Sequence, residues 1–74
     1  MIRIIYINNE QKESNFKYLY FNEHERKMAV SNDRQSWKDV IVSSFVISDL
    51  EYLKIKELIK QNIEKGLISP FITD

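Results

Sequence analysis

The sequence predicts an α+β domain, a four-stranded antiparallel meander followed by one C-terminal α-helix packed on one sheet face. Three observations predict it. Apolar side chains crowd the period-two segments Ile2 to Ile7 and Phe16 to Phe21. A polar step, Asn22-Glu23-His24-Glu25, has the length of a hairpin connection. Ser48 and Gly66 bracket a long stretch of helical periodicity with a residue type suited to each end. At 74 residues the chain reads as one domain, 1–74. A domain of that size buries only a little over ~60% of the surface its unfolded chain exposes. Its core is thin, and with no cysteine to cross-link it, association is the expected supplement.

The first strand, Ile2 to Ile7, sets Ile2, Ile4 and Tyr6 on one side and Arg3, Ile5 and Ile7 on the other. Only Arg3 interrupts the apolar character, which is the pattern of an interior strand covered on both faces. The polar stretch Asn8 to Asn15 reads as a loop. The second strand places Phe16, Tyr18 and Tyr20 opposite Lys17, Leu19 and Phe21. The third, Arg26 to Val30, begins with two cations that suit an exposed edge. Ser31 to Lys38 reads as a polar linker around Trp37. The run Val40 to Ile47 is read as a fourth strand because Val40, Ile41, Val42, Val46 and Ile47 are β-branched, with Ser43-Ser44 as a bulge. Trp37, Val40, Ile41, Ser44 and Phe45 also fall at helical spacing, with Asn32 or Asp33 available as a cap, so a helix is the alternative there.

The C-terminal helix has both ends written locally. Ser48 and Glu51 stand at capping-box spacing, and Gly66 suits the left-handed position after the last turn, with Leu67 beyond it. Tyr52, Ile55, Leu58, Ile59 and Ile63 form the stripe expected on the sheet, while Leu50 and Leu53 fall near the opposite side and form an exposed apolar spot. Residues 67–74, with Leu67, Ile68, Phe71 and Ile72 around Pro70, form an apolar tail expected to dock.

Charge excludes the simplest electrostatic roles. Eleven basic and eleven acidic residues cancel, so no strong overall field draws the chain to nucleic acid or an anionic membrane. No apolar run reaches membrane-spanning length and no secretory pattern follows the apolar start, which together predict a cytoplasmic protein with no membrane partner. Abundant Ile, Lys and Asn beside a single Gly, Pro and Ala are what AT-rich coding sequence yields, a composition at home in viral or mobile elements.

The residue set also argues against an enzyme. The one histidine, His24, lies between Glu23 and Glu25 in the expected turn; a metal site needs three or four converging ligands, and there is no second His and no Cys. Seven serines share that single imidazole, and one glycine is too few for a phosphate-cradling loop. Carboxylate pairs such as Glu10 with Glu13 read as solvated faces. No catalytic residue, cofactor or metal is expected.

The aromatic residues are more informative. Phe16, Tyr18 and Tyr20, with Tyr6, could line one sheet face near Lys17, Arg26 and Lys27. Rings beside cations suit single-stranded nucleic acid, where bases stack and phosphates pair. Tyrosine equally suits a protein interface, since it supplies area at small entropic cost, and such rings can also simply be core. Trp37 fits either a lid over the core or an interface anchor.

The segment Phe45-Val46-Ile47-Ser48 leading into Asp49-Leu50-Glu51-Tyr52-Leu53-Lys54-Ile55-Lys56-Glu57-Leu58-Ile59 resembles the PC4-type transcriptional coactivator domain over about the last third of the chain. That resemblance implies a four-stranded sheet followed by a helix, pairing into dimers and binding of single-stranded DNA. The family's strands carry more basic residues and glycine than this chain does. From the residues themselves, the expected function is a non-enzymatic protein-binding module, a small regulator or inhibitor. Tyr18, Tyr20, Trp37, Leu50 and Leu53 are its expected contacts, with Lys17, Arg26 and Lys27 at the rim. The uncovered sheet face is expected to support a homodimer. A dimeric single-stranded nucleic-acid binder is the alternative.

Overall fold

A computed structural model of the chain describes residues 3–10, 16–32 and 36–73. The expected first residue of strand one, Ile2, most of the first loop (11–15, Glu13 included), Asp33 as a cap and Asp74 lie outside them. The described chain runs β1 (Arg3–Asn8), β2 (Tyr18–Asn22), β3 (Lys27–Ser31), α1 (Trp37–Val42), β4 (Phe45–Val46), α2 (Asp49–Glu64) and β5 (Ile68–Thr73). It is an α+β fold with a five-stranded sheet ordered β4-β3-β2-β1-β5, every neighbouring pair antiparallel. Five strands replace the expected four and the meander is altered: α1 interrupts it between β3 and β4, and the tail adds β5 beside β1. Residues 68–73 dock as an edge strand in register with β1, from Ile68 opposite Asn8 to Thr73 opposite Arg3.

Alternation sorts the sheet into two apolar faces, as β1 and β2 demanded. Leu19 and Phe21 pack with Ile47, Tyr52, Ile59 and Ile68, joined by half-buried Tyr6, Phe16, Met28 and Ile55, in the core beneath α2. Ile5, Tyr20 and Ala29 face the other way and meet Val40 of α1, with Tyr18, Trp37 and Ile41 at the margin. Two expectations are corrected by this arrangement. The rings do not share a face, because Tyr6 pairs with Leu19 while Tyr20 pairs across from Ile5. A second helix, absent from the expected outline, covers the face that was to be bare.

Residues 40–47 accordingly split into the end of α1 and a two-residue β4, correcting the expected fourth strand. Ser36 caps α1: its hydroxyl accepts from the Asp39 backbone amide and donates to the Asp39 carboxylate at 3.1 Å, a role expected of Asn32 or Asp33. The β-branched run lost to tertiary packing, since a helix there buries Val40 completely against the sheet. Of the expected α2 stripe, Tyr52 and Ile59 are buried and Ile55 half-buried, but Leu58 and Ile63 are exposed, because the sheet contacts a narrower arc than five residues span. Both α2 ends fall where read, with the Ser48 half of the capping box formed. Ser48 Oγ accepts from the Glu51 amide at 3.2 Å. Gly66, at φ +74°, donates to the Ile63 carbonyl while Leu67 donates to that of Asn62, the paired bonds of a Schellman stop.

The turn joining β2 and β3 spans residues 23–26, one residue later than expected, so Arg26 belongs to the turn and not to the strand. Asn22 Oδ1 holds the turn by accepting from the Glu25 amide at 2.9 Å. Arg26 itself adopts φ 56°, a left-handed conformation that costs a residue with a Cβ roughly 1 kcal/mol. Its side chain offsets that cost: the guanidinium lies 3.8 Å over the Tyr52 ring, which stacks in turn on Phe21 at 5.7 Å. The 2.9 Å pair with Asp49 adds little, because that carboxylate is almost fully exposed.

Two stability measurements check this packing. In α1, Val40→Ala is expected to cost about 2 kcal/mol by urea unfolding and Val42→Ala less than about 0.5, since Val40 is 0% exposed and Val42 85%. A strand would put both valines on one face, so equal losses contradict α1. At the turn, Arg26→Ala is expected to be about 1 kcal/mol less stable than Arg26→Gly, because both lose the ring contact and only glycine is free of the left-handed penalty; parity would mean that position carries no strain.

Candidate functional site

Helix length determines where the sheet is left open. At six residues α1 is ~9 Å long, whereas five strands span ~19 Å, so α1 lies on β2 and β3 and stops short of β5. Sixteen residues give α2 ~24 Å, enough to reach from the β2–β3 turn to β5. Beyond α1 on its face lies a groove of about 290 Å³ lined by Ile5, Ile7, Tyr18, Ser36, Trp37 and Phe71. Buried Ile5 is its floor; Tyr18 and Trp37, both half-buried, and the 45%-exposed Phe71 are its walls. Each element supplies its part for a local reason: alternation aims Ile5 and Ile7 at this face, the register sets Phe71 opposite Ile5, and the Ser36 cap starts α1 so that Trp37 is its first residue.

Two lysines stand on the rings of this groove. Lys17 Nζ lies 5.5 Å from the centre of the Tyr18 ring and Lys38 Nζ 5.5 Å from that of Trp37. Two further cations sit on Tyr52 at the far end of the sheet, and each of these also meets a carboxylate, Arg26 with Asp49 and Lys56 with Glu23. Neither Lys17 nor Lys38 forms an ion pair among the described residues.

The structure thus brings together Tyr18, Trp37 and Lys17 of the contact residues read from the sequence. It separates the others. Tyr20 is 3% exposed and holds the core under α1, its hydroxyl accepting from Asn22 Nδ2 at 3.0 Å, so it offers no surface of its own. Arg26 and Lys27 lie at the β2–β3 turn, engaged with Asp49 and Glu25. Leu50 and Leu53 are exposed on α2, beyond the opposite face of the sheet, with Lys54, Glu57 and Leu58. Sequence reasoning missed Ile7, Lys38 and Phe71. Phe71 was signalled by a tail too apolar to be loose, and Lys38 by its place next to Trp37.

On the α2 side a second cleft, about 670 Å³, runs between Tyr6 and Glu23 and the helix residues Leu53, Lys56, Lys60 and Ile63. The Lys56–Glu23 pair, at 3.8 Å, spans it. Burial pushes the Tyr6 hydroxyl above its ordinary 10.0, and the Glu23 carboxylate adds to the rise. Among the described residues, no group of three or more His, Cys, Asp or Glu side chains is gathered as a metal would require, and no helix is long and apolar enough to cross a membrane. The chain matches no known protein family, no curated protein and no solved structure.

The Tyr6 environment gives a pH dependence of definite sign. The folded state holds this proton more tightly than the unfolded chain does, so the contribution is intact below about pH 10 and is lost as pH rises beyond it. Ultraviolet titration of the chain minus its Tyr6→Phe variant should show a late-ionising tyrosine, and Glu23→Gln should bring that ionisation part of the way down. An unchanged titration in Glu23→Gln would leave burial as the sole cause.

Proposed function

We propose that this chain is a non-enzymatic protein-binding module, a small regulator or inhibitor that seats an apolar side chain of a protein target in the groove between α1 and β5. The observation that carries this reading is a concave site with a buried aliphatic floor and three aromatic walls on rigid elements. Concave, well-packed aromatic sites are where binding energy concentrates, because a side chain entering one is desolvated on several sides at once. Rings also lose little conformational freedom on binding. The leucines of α2 are weaker candidates: Leu50 stands on the outside of the helix with Lys54 and Glu57, and Leu53, though it reaches the α2-side cleft, meets mostly charged side chains there.

Self-association has less support than the sequence suggested. That expectation needed a bare second face, and α1 occupies much of it. The sheet edges discourage pairing too. Asn9 N donates to Leu67 O at 2.8 Å, so in this register Ser69, Phe71 and Thr73 direct their backbone groups at β1, while Ile68, Pro70 and Ile72 face outward. Pro70 therefore withholds a donor at the middle of the free edge, and β4 has only two residues to offer at the other. Single-stranded nucleic acid is favoured by one observation, the lysines over Tyr18 and Trp37. Against it stand a neutral chain and a groove the size of one large side chain.

With a partner isolated on the immobilised chain, Phe71→Ser should weaken its binding at least about fivefold, a loss near 1 kcal/mol, while Leu50→Ser with Leu53→Ser changes it less than about twofold. Circular dichroism melts establish that both variants fold. The opposite ranking by surface plasmon resonance would move the contact to α2 and sink the proposal.

A further inference from the structure

The chemistry of the groove's rim narrows what the groove receives. We infer that its occupant is an acidic segment of the target protein: one apolar side chain enters between Tyr18, Trp37 and Phe71, and flanking carboxylates meet Lys17 and Lys38. This rests on the protein-binding reading and deepens it. At about 290 Å³ the groove lies at the lower limit of ligand pockets, ~300 Å³, so it has room for one large side chain. Outside that volume the partner's next groups meet the rim. Lys17 and Lys38 do not line the groove themselves; each is exposed, held over one of its rings, and free of any ion pair among the described residues. The acid next to Lys38 in sequence, Asp39, accepts from the Ser36 hydroxyl at 3.1 Å.

At Tyr52 too, two cations sit on an aromatic ring, and each has a carboxylate of this chain against it. At the groove the ring and cation pairing is repeated, and among the described residues no carboxylate pairs with either lysine. A partner that brings one completes the same three-part arrangement, with complementary charge at the rim and apolar burial at the centre. Nucleic acid could also supply the anion. It would need a row of cations along its backbone, where this groove has two, and a series of stacking rings, where this groove closes around one side chain.

Trp37 is the only tryptophan in the chain, so its fluorescence reports occupancy of the groove directly. A displayed random-peptide library selected on the 74-residue chain supplies the probes, and peptides recovered from it are titrated against Trp37 emission. The expected result is enrichment of Asp and Glu beside an aromatic or branched aliphatic residue, with emission shifting on binding. Lys17→Glu and Lys38→Glu together should weaken a recovered peptide about tenfold, whereas Lys54→Glu on the outer side of α2 leaves it within about twofold. Recovered peptides that are neutral or basic, yet still shift Trp37, would overturn the acidic occupant and leave the protein-binding groove standing. Peptides that bind without moving Trp37, or no enrichment at all, would overturn both. Oligothymidylate shifting Trp37 more tightly than any peptide, with affinity falling steeply in salt, would transfer the site to single-stranded nucleic acid.

Discussion

A sheet with two apolar faces needs two covers, and this chain supplies covers of unequal length. Everything distinctive about the molecule follows from that inequality. The long helix α2 reaches from Tyr52, stacked on Phe21, to Ile59, packed in one core with Ile68. The short helix α1 buries Val40 on Ile5, Tyr20 and Ala29 and then ends. Its side of β1 and β5 is left as a groove whose floor is already part of the core. The opening is therefore not a defect of packing. It is the remainder after a six-residue helix has been laid across a sheet about twice as wide.

The same economy governs the edges and the turn. A small domain with a thin core gains from any further contact, and two open sheet edges would invite the wrong ones. Pro70 and the brevity of β4 close those routes by withholding backbone donors, while their neighbours Phe71 and Ile47 still contribute side chains to the groove and the core. At the β2–β3 turn the left-handed Arg26 is tolerated because its carbonyl accepts from Ile47 N at 2.9 Å and its guanidinium covers Tyr52. The turn, the entry to α2 and the end of the larger core are fixed by one residue. What the sequence presented as a basic rim is thus, at Arg26, a brace.

What could be read from the sequence was local, and what could not was settled across the chain. The α2 boundaries were legible because Ser48, Glu51 and Gly66 act within a turn of their own positions. The alternation of β1 and β2 was legible because both faces are buried. Residues 40–47 were misread because β-branched propensity is worth less than the burial of Val40; the available corrective was Ser36 with Asp39 three residues on, a start signal as local as that of α2. The tail was visible as apolar but not as a strand, since Pro70 argues against one and only its edge position removes the objection. Of the candidate contacts, Tyr18, Trp37 and Lys17 lie together at the groove, and ring beside cation is the compositional signal that picked them out. Tyr20 was indistinguishable from Tyr18 by the same signal, as the two share a face and differ only in what α1 covers.

That last pair shows how the fold converts an even row of rings into one core residue and one groove wall. Tyr20 and Tyr18 point the same way from one strand, two residues apart, and α1 passes over the first and beside the second. Under the helix, Tyr20 becomes structure. At its margin, Tyr18 keeps one flank on the core and turns the other to the groove, where Trp37 faces it from the helix and Phe71 from the edge strand. Of three rings from three elements, Tyr18 and Trp37 pack on the core and Phe71 is set by its register opposite Ile5. Leu50 and Leu53 both belong to one helix and are more exposed than any of the three rings. Affinity depends on how little freedom remains to be lost when contact is made, and by that measure the margin of α1 is better prepared than the back of α2.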